Sequence, residues 1–247
     1  MKTIIKIAWR NIWRNKLRSS VVFLSIILGI WAGLFMLSLS IGLNDQRTKS
    51  SIENQISHIQ IHTPEYLADE KPEFAIPEVN EIYKTLDGID EVTHYSSRLI
   101  LEATIKTAHG FNNIQLMGID PEDESLVTKI SEKVDTGSYF GEFKNNPIVI
   151  GQSLAEDLKL DVRKSANIAF QDATGNFVEY GCRVEGIFGT PNSRFDKSVV
   201  FMKRENLEQL AFMMGAVHEI AVMCTTVEVS EDVVAQINSK HETIKAG

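Results

Sequence analysis

Residues 19–44 read SSVVFLSIILGIWAGLFMLSLSIGLN, and none of these 26 side chains ionises. As a helix rising about 1.5 Å per residue, the stretch extends roughly 39 Å, more than a hydrocarbon core of about 30 Å. A soluble core helix rarely needs so long an uncharged run, so the stretch reads as one membrane span. A cleaved secretory signal is the rival reading, with Ser38-Leu39-Ser40 as its small-x-small site. Against it, the apolar part is longer than the roughly 7–15 residues of a signal, and the 18-residue lead is long. Within the span, Ser25, Gly29 and Gly33 recur every fourth residue. Small residues so spaced let a second membrane helix approach closely, which makes these three the candidate helix-packing residues. A packing face on a lone span implies partner helices that this chain does not supply.

Working outward toward the N-terminus, Lys2, Lys6, Arg10, Arg14, Lys16 and Arg18 all precede the span, and the first acidic residue is Asp45. An excess of Lys and Arg beside a span holds that end in the cytoplasm. Residues 45–247 are therefore expected outside. Ile4, Ile5, Ala8, Trp9, Ile12 and Trp13 group on one helical face, and Lys2, Lys6, Arg10 and Arg14 on another. That pattern describes a basic amphipathic helix over residues 1–18, lying in the inner interface.

Beyond the span, about 200 residues are enough for one large or two small cores. All 33 acidic residues lie there against 19 of the 25 basic ones, a net charge of −14. Such a surface disfavours nucleic acid and anionic lipid heads as partners. Cys182 and Cys224 are the only cysteines, so this is not a disulfide-built scaffold, and their spacing decides neither pairing nor freedom. From Gly42 to about Gln55 the span is expected to continue as a helix. His58-Ile59-Gln60-Ile61-His62 alternates as a strand, Thr63-Pro64 ends it, and a loop follows to Ile76. A helix is expected over 77–86, then strands over 99–107 and 112–118 joined as a hairpin. Asp120 is placed as the N-cap of a helix whose first residue is Pro121, with Glu122, Asp123 and Glu124 favouring its positive end. Later strands are read at 147–150, 166–170, 177–188, 198–202 and 218–224, and helices at 151–160, 204–213 and 230–241. The mixture lacks the long parallel rhythm of a doubly wound sheet. It predicts an α+β exterior of two lobes over 45–247, with a boundary near 131–147 and a first lobe that needs later strands to complete its sheet.

Chemistry is weakly signalled. Pro147-Ile148-Val149-Ile150-Gly151-Gln152-Ser153-Leu154-Ala155 imitates a nucleophile elbow, but Ala155 replaces its second glycine and no large parallel sheet presents Ser153. Read that way, the chain is an anchored serine hydrolase; the simpler reading puts Ser153 in a helix's first turn. His58 and His62 share a strand face with Gln60, yet no third metal ligand is evident. The acids at 120–124 lack the ligand spacing of a calcium loop. No Gly-x-x-x-x-Gly-Lys-Ser/Thr is present, so the chain is expected neither to hydrolyse nucleotide nor to carry a cofactor.

Several ordered stretches nevertheless carry a likeness. Ala8-Trp9-Arg10-Asn11-Ile12-Trp13-Arg14-Asn15-Lys16-Leu17-Arg18-Ser19 resembles the N-terminal signature of MacB-like, FtsX-type ABC-transporter permeases. Gly118-Ile119-Asp120-Pro121-Glu122 is similar to the family's Gly-Ile-Asp-Pro turn, and Val149-Ile150-Gly151-Gln152-Ser153-Leu154-Ala155 to its strand-to-helix motif. Val184-Glu185-Gly186-Ile187-Phe188 with Phe195-Asp196-Lys197 resembles the lipoprotein-releasing (Lol-type) branch most. The resemblance covers nearly the whole chain. It implies a permease in the bacterial inner membrane whose first span leads into a periplasmic core domain. It further implies a cytoplasmic ATPase subunit as partner, further permease spans or a second permease, and lipoprotein cargo for the Lol-type branch or exported drugs, peptides or toxins for MacB. Arg10, Arg14 and Arg18 then become cytoplasmic anchors and candidate ATPase contacts.

This sequence departs from the family in three places. Three further spans follow the domain in family members, whereas this sequence stops at Gly247, which is expected of a fragment or half of a split permease. Arg163-Lys164 stands where the family has Gly-Asp. The hairpin over 171–178 is short for gripping a soluble lipoprotein carrier. A single-pass anchored binding or sensor domain is the alternative outside transport.

Overall fold

The computed structural model describes residues 9, 14, 16–51, 57–141, 146–241 and 243–247, with the backbone alone at 44–51. It divides into two units, residues 1–49 and 50–247. The first holds all but the last two residues of helix α1 (Lys16–Ser51), which contains the whole uncharged run and continues past it. Its part from Lys16 to Leu43 is long and apolar enough to cross a membrane, and none of it is buried. Two hydroxyls in the run are satisfied locally: Ser20 Oγ donates to Leu17 O at 3.0 Å and Ser25 Oγ to Val21 O at 2.8 Å, the back-bonding that lets serine sit in an apolar helix. Arg10 and most of the expected lead helix lie outside the described residues.

The second unit is built on ten strands in the order β10-β1-β9-β2-β3-β8-β5-β7-β4, with β6 off this path, pairing with β2 and β7. In chain order they are β1 (Ile59–His62), β2 (Val92–Thr107), β3 (Gly110–Ile119), β4 (Val134–Gly137), β5 (Pro147–Gly151), β6 (Ser165–Gln171), β7 (Phe177–Phe188), β8 (Val199–Lys203), β9 (Glu219–Cys224) and β10 (Lys245–Ala246). Between them run α2 (Pro64–Ala68), α3 (Val79–Asp87), α4 (Pro121–Val127), α5 (Gln152–Leu158), α6 (Ser193–Ser198), α7 (Arg204–Ala211) and α8 (Ser230–Lys240). β3 with β8 and β5 with β7 pair in parallel; the other pairs are antiparallel.

β2 serves both lobes. Its first part, from Val92 to Arg98, pairs with β9, and its second, from Leu99 to Thr107, with β3. A first lobe gathers β1, β9, β10 and the start of β2 over α3 and α8, around Ile59, Ile61, Ile82, Leu86, Ile220, Val222, Val233 and Ile237. A second lobe holds the remaining strands between two apolar cores, one with Leu101, Ile148, Leu154, Val184 and Met202, the other with Val149, Phe188, Phe195 and Phe201.

Within the stretch expected as a lobe boundary, residues 134–137 form β4, which pairs with β7, and β5 lies between β8 and β7. The chain changes lobe inside β2 and again between α7 and β9. The first lobe closes with C-terminal strands, β9 and β10. Further segments differ from expectation. Residues 64–68 form a helix, not a loop, capped by Thr63 Oγ1 accepting from Tyr66 N at 3.3 Å. A helix at 193–198, capped by Asn192, has no counterpart in the sequence reading. β2 begins at Val92 instead of 99, because Ser96, Ser97 and Arg98 are buried polar residues that no apolar alternation reveals. Asp120, in contrast, caps α4 as expected, accepting from the N–H groups of Glu122 and Asp123.

Candidate functional site

Two places gather side chains with more than packing to do. The first is α1, considered by itself. Ser25, Gly29 and Gly33 lie on its exposed surface, and a Cβ added at either glycine meets nothing within 4 Å. Large side chains surround them in the same state, with Phe23, Ile30, Trp31 and Phe35 all more than half exposed. In water such a surface is untenable; in lipid it is ordinary. Arg14 and Arg18 are exposed at the start of this unit.

The second place is a charged cluster inside the larger unit, where the lobes meet. β1, β9 and the start of β2 pair with Ile61 opposite Ile220, Gln60 opposite Ala221, Ser96 opposite Ala221 and Arg98 opposite Glu219. Because side chains alternate along a strand, one face of this small sheet is apolar and the other polar. The apolar face takes Ile59, Ile61, Ile220 and Val222 into the first lobe's core. The polar face carries Ser96, Arg98, Glu219 and His62, and it is sealed from water: Arg98 is 2% exposed and Glu219 5%.

What covers that face is α4 of the second lobe. Glu124, wholly buried, accepts from Arg98 Nη2 at 2.6 Å and Arg98 Nε at 3.0 Å. Ser96 Oγ at 2.8 Å and Thr128 Oγ1 at 3.1 Å also donate to its carboxylate. The two-point pairing is the geometry a guanidinium and a carboxylate favour. Arg98 Nη1 also bonds Glu219 Oε1, and His62 Nε2 lies 3.4 Å from Glu219 Oε2. Burial works against the guanidinium charge, but the carboxylates of Glu124 and Glu219 more than offset it and hold Arg98 above its ordinary value.

Beside the cluster, Tyr66 of α2 is stacked between His62 and His218, with ring centroids 5.7 and 5.0 Å apart. Burial, then the charge of Glu70, pushes the Tyr66 hydroxyl above its usual range, so it stays neutral. His218 is fully buried, accepts from Ile100 N at Nδ1 (3.1 Å) and sits 2.9 Å from Pro72 O at Nε2. Both contacts are served by the tautomer protonated at Nε2. Burial holds its pKa below the ordinary histidine value.

The sequence reading assigned Glu124 to helix capping and passed over Arg98. Buried arginine leaves no periodic trace; the one available signal was a charged residue ending Ser96-Ser97-Arg98 immediately before an apolar strand. The remaining sequence candidates disperse. His58 Nδ1 accepts from Cys224 N at 3.1 Å while His62 faces Glu219 and Tyr66, so the two imidazoles serve separate contacts. Among the described residues no group of three His, Cys, Asp or Glu side chains is placed to hold a metal. Gly151 answers to packing: a Cβ there would lie 2.1 Å from Asp196 O. The strand-to-helix motif is thus a close approach to α6, and Ser153 occupies the first turn of α5. Cys182 and Cys224 are both free and buried, in different cores, and burial raises both thiols, Cys182 to about 12.

A family profile described as "MacB-like periplasmic core domain" matches residues 19–240. No curated protein matches the chain. Among solved structures, the extracellular domain of the noncanonic ABC-type transporter YknZ from Gram-positive bacteria aligns at 17% identity and TM-score 0.51, covering 76% of this chain and 98% of that one. The periplasmic region of MacB from Actinobacillus actinomycetemcomitans aligns at 12% identity and TM-score 0.52, covering 76% and 87%. At these identities the likeness is one of fold.

Proposed function

The chain belongs to the family of MacB-like periplasmic core domains, and on that premise we propose that it supplies the first span and the extracytoplasmic domain of an ABC-transporter permease. The observation that carries the reading is a helical run without charge over residues 19–43, none of it buried, led by basic residues and preceding a domain of this fold. In this reading the N-terminus is cytoplasmic and residues 45–247 work outside the inner membrane. ATP is hydrolysed by a separate subunit, with Arg10, Arg14 and Arg18 beside it. Ser25, Gly29 and Gly33 pack against other permease spans or a second permease. The domain's work is mechanical: helix movement changes its shape, and the change acts on cargo.

Lipoprotein, or another lipid-linked substrate, is the proposed cargo. It rests on the likeness of residues 184–188 and 195–197 to the lipoprotein-releasing branch. The test is affinity purification of the full-length protein from its own membrane with mass spectrometry of what accompanies it. An ATPase subunit together with acylated lipoproteins supports the whole reading. An ATPase with an outer-membrane channel or adaptor keeps the permease and replaces the cargo with that of a MacB-type exporter. Recovery of neither overturns the transporter reading in favour of an anchored sensor domain.

A further inference from the structure

We propose that the polar face of the first lobe is a reversible joint, onto which α4 of the second lobe docks through Glu124 and from which it can release without either lobe unfolding. The two faces of the small sheet differ in what separation costs. Withdrawing α3 and α8 from Ile59, Ile61, Ile220 and Val222 would expose apolar surface, so that face is permanent. Withdrawing α4 from the other face exposes, besides the single apolar side chain of Val127, a guanidinium, carboxylates and hydroxyls that water can satisfy. Contacts that must part and re-form are polar in this way, whereas permanent ones resemble a core. A buried charge cluster is also a poor permanent cement, since apolar side chains of similar volume hold as well or better.

The covalent connections suit a joint. The lobes are linked by β2 at Arg98–Leu99 and by the segment between α7 and β9. In that second segment Phe212 stands at φ 56° and Gly215 at φ 74°. The inference does not rest on the transport reading; if that holds, the joint is where helix movement would alter the domain.

The test is hydrogen exchange, read by mass spectrometry, on the full chain in detergent. Amides of α4 (121–127) should exchange at least tenfold faster than those of α5 (152–158), a helix of equal length packed on an apolar core. Glu124→Gln should speed α4 and residues 219–221 a further tenfold while residues 148–150 and 200–202 stay within twofold of wild type. Replacing the cluster with apolar side chains (Arg98→Met, Glu124→Leu and Glu219→Leu together) should slow α4 below wild type. Equal exchange in α4 and α5 of the wild type overturns the proposal. So does acceleration spread uniformly over both lobes in Glu124→Gln, which marks one cooperative core. An apolar triple variant whose α4 exchanges as fast as Glu124→Gln, or that does not fold, overturns it as well.

Discussion

At the scale of single residues, buried polar groups carry the information that apolar ones do not. His218 is the sharpest case. Its folded-state pKa lies below the unfolded value of about 6.5. Above that pH both states are neutral and its two hydrogen bonds contribute in full. As pH falls through the window beneath it, the unfolded state binds the proton first and stability declines. His218→Gln should cost about 1–3 kcal/mol at pH 7.5 by leaving a backbone partner unmade. The difference from wild type should then narrow toward pH 5 in thermal unfolding of the full chain in detergent; a difference independent of pH would remove the histidine from this role. Gly151 makes the opposite case, in which the residue matters for what it lacks. Gly151→Ala forces a Cβ into the Asp196 carbonyl and should lower stability by about 2 kcal/mol or more, visible as a lower melting temperature with secondary structure retained. An unchanged melting temperature would mean that α6 can shift.

At the scale of elements, most strands and helices were legible. β7 runs over 177–188 as its alternation predicts, and α4 is capped by Asp120 as its spacing requires. The start of β2 was not, because hydrophobic periodicity cannot register a strand whose inward residues are Ser96 and Arg98. Short helices such as 64–68 and 193–198 were missed for a related reason: each spans under two turns, too short for a period to show. α1 carries its own prediction. Gly29→Ile with Gly33→Ile should abolish or strongly reduce co-purification of partner membrane helices, since both glycines face open space in the isolated helix and a bulky side chain costs the monomer nothing. Undiminished co-purification would sink the packing role.

At the scale of the whole molecule, the cysteines provide a clean probe of orientation. Cys182 and Cys224 are buried with raised thiols, hence poorly reactive. A cysteine introduced at Lys16 should therefore react with an impermeant maleimide only after the inner membrane is opened, and one at exposed Glu231 without that step. The reverse pattern would invert the proposed topology. The sequence by itself determined that there is one long uncharged helix and an α+β domain after it. It also determined where most elements of that domain begin and end. Those features depend on local composition, period and caps, all written in consecutive residues. Only the tertiary structure decided that β2 pairs with β9 at its start and β3 at its end, that β1 lies between β9 and β10, and that Arg98, Glu124 and Glu219 meet. Those facts depend on contacts between residues as much as 185 positions apart, as Ile61 and Ala246 are. No local pattern encodes them, because a buried charge is tolerable only once its distant partner has arrived.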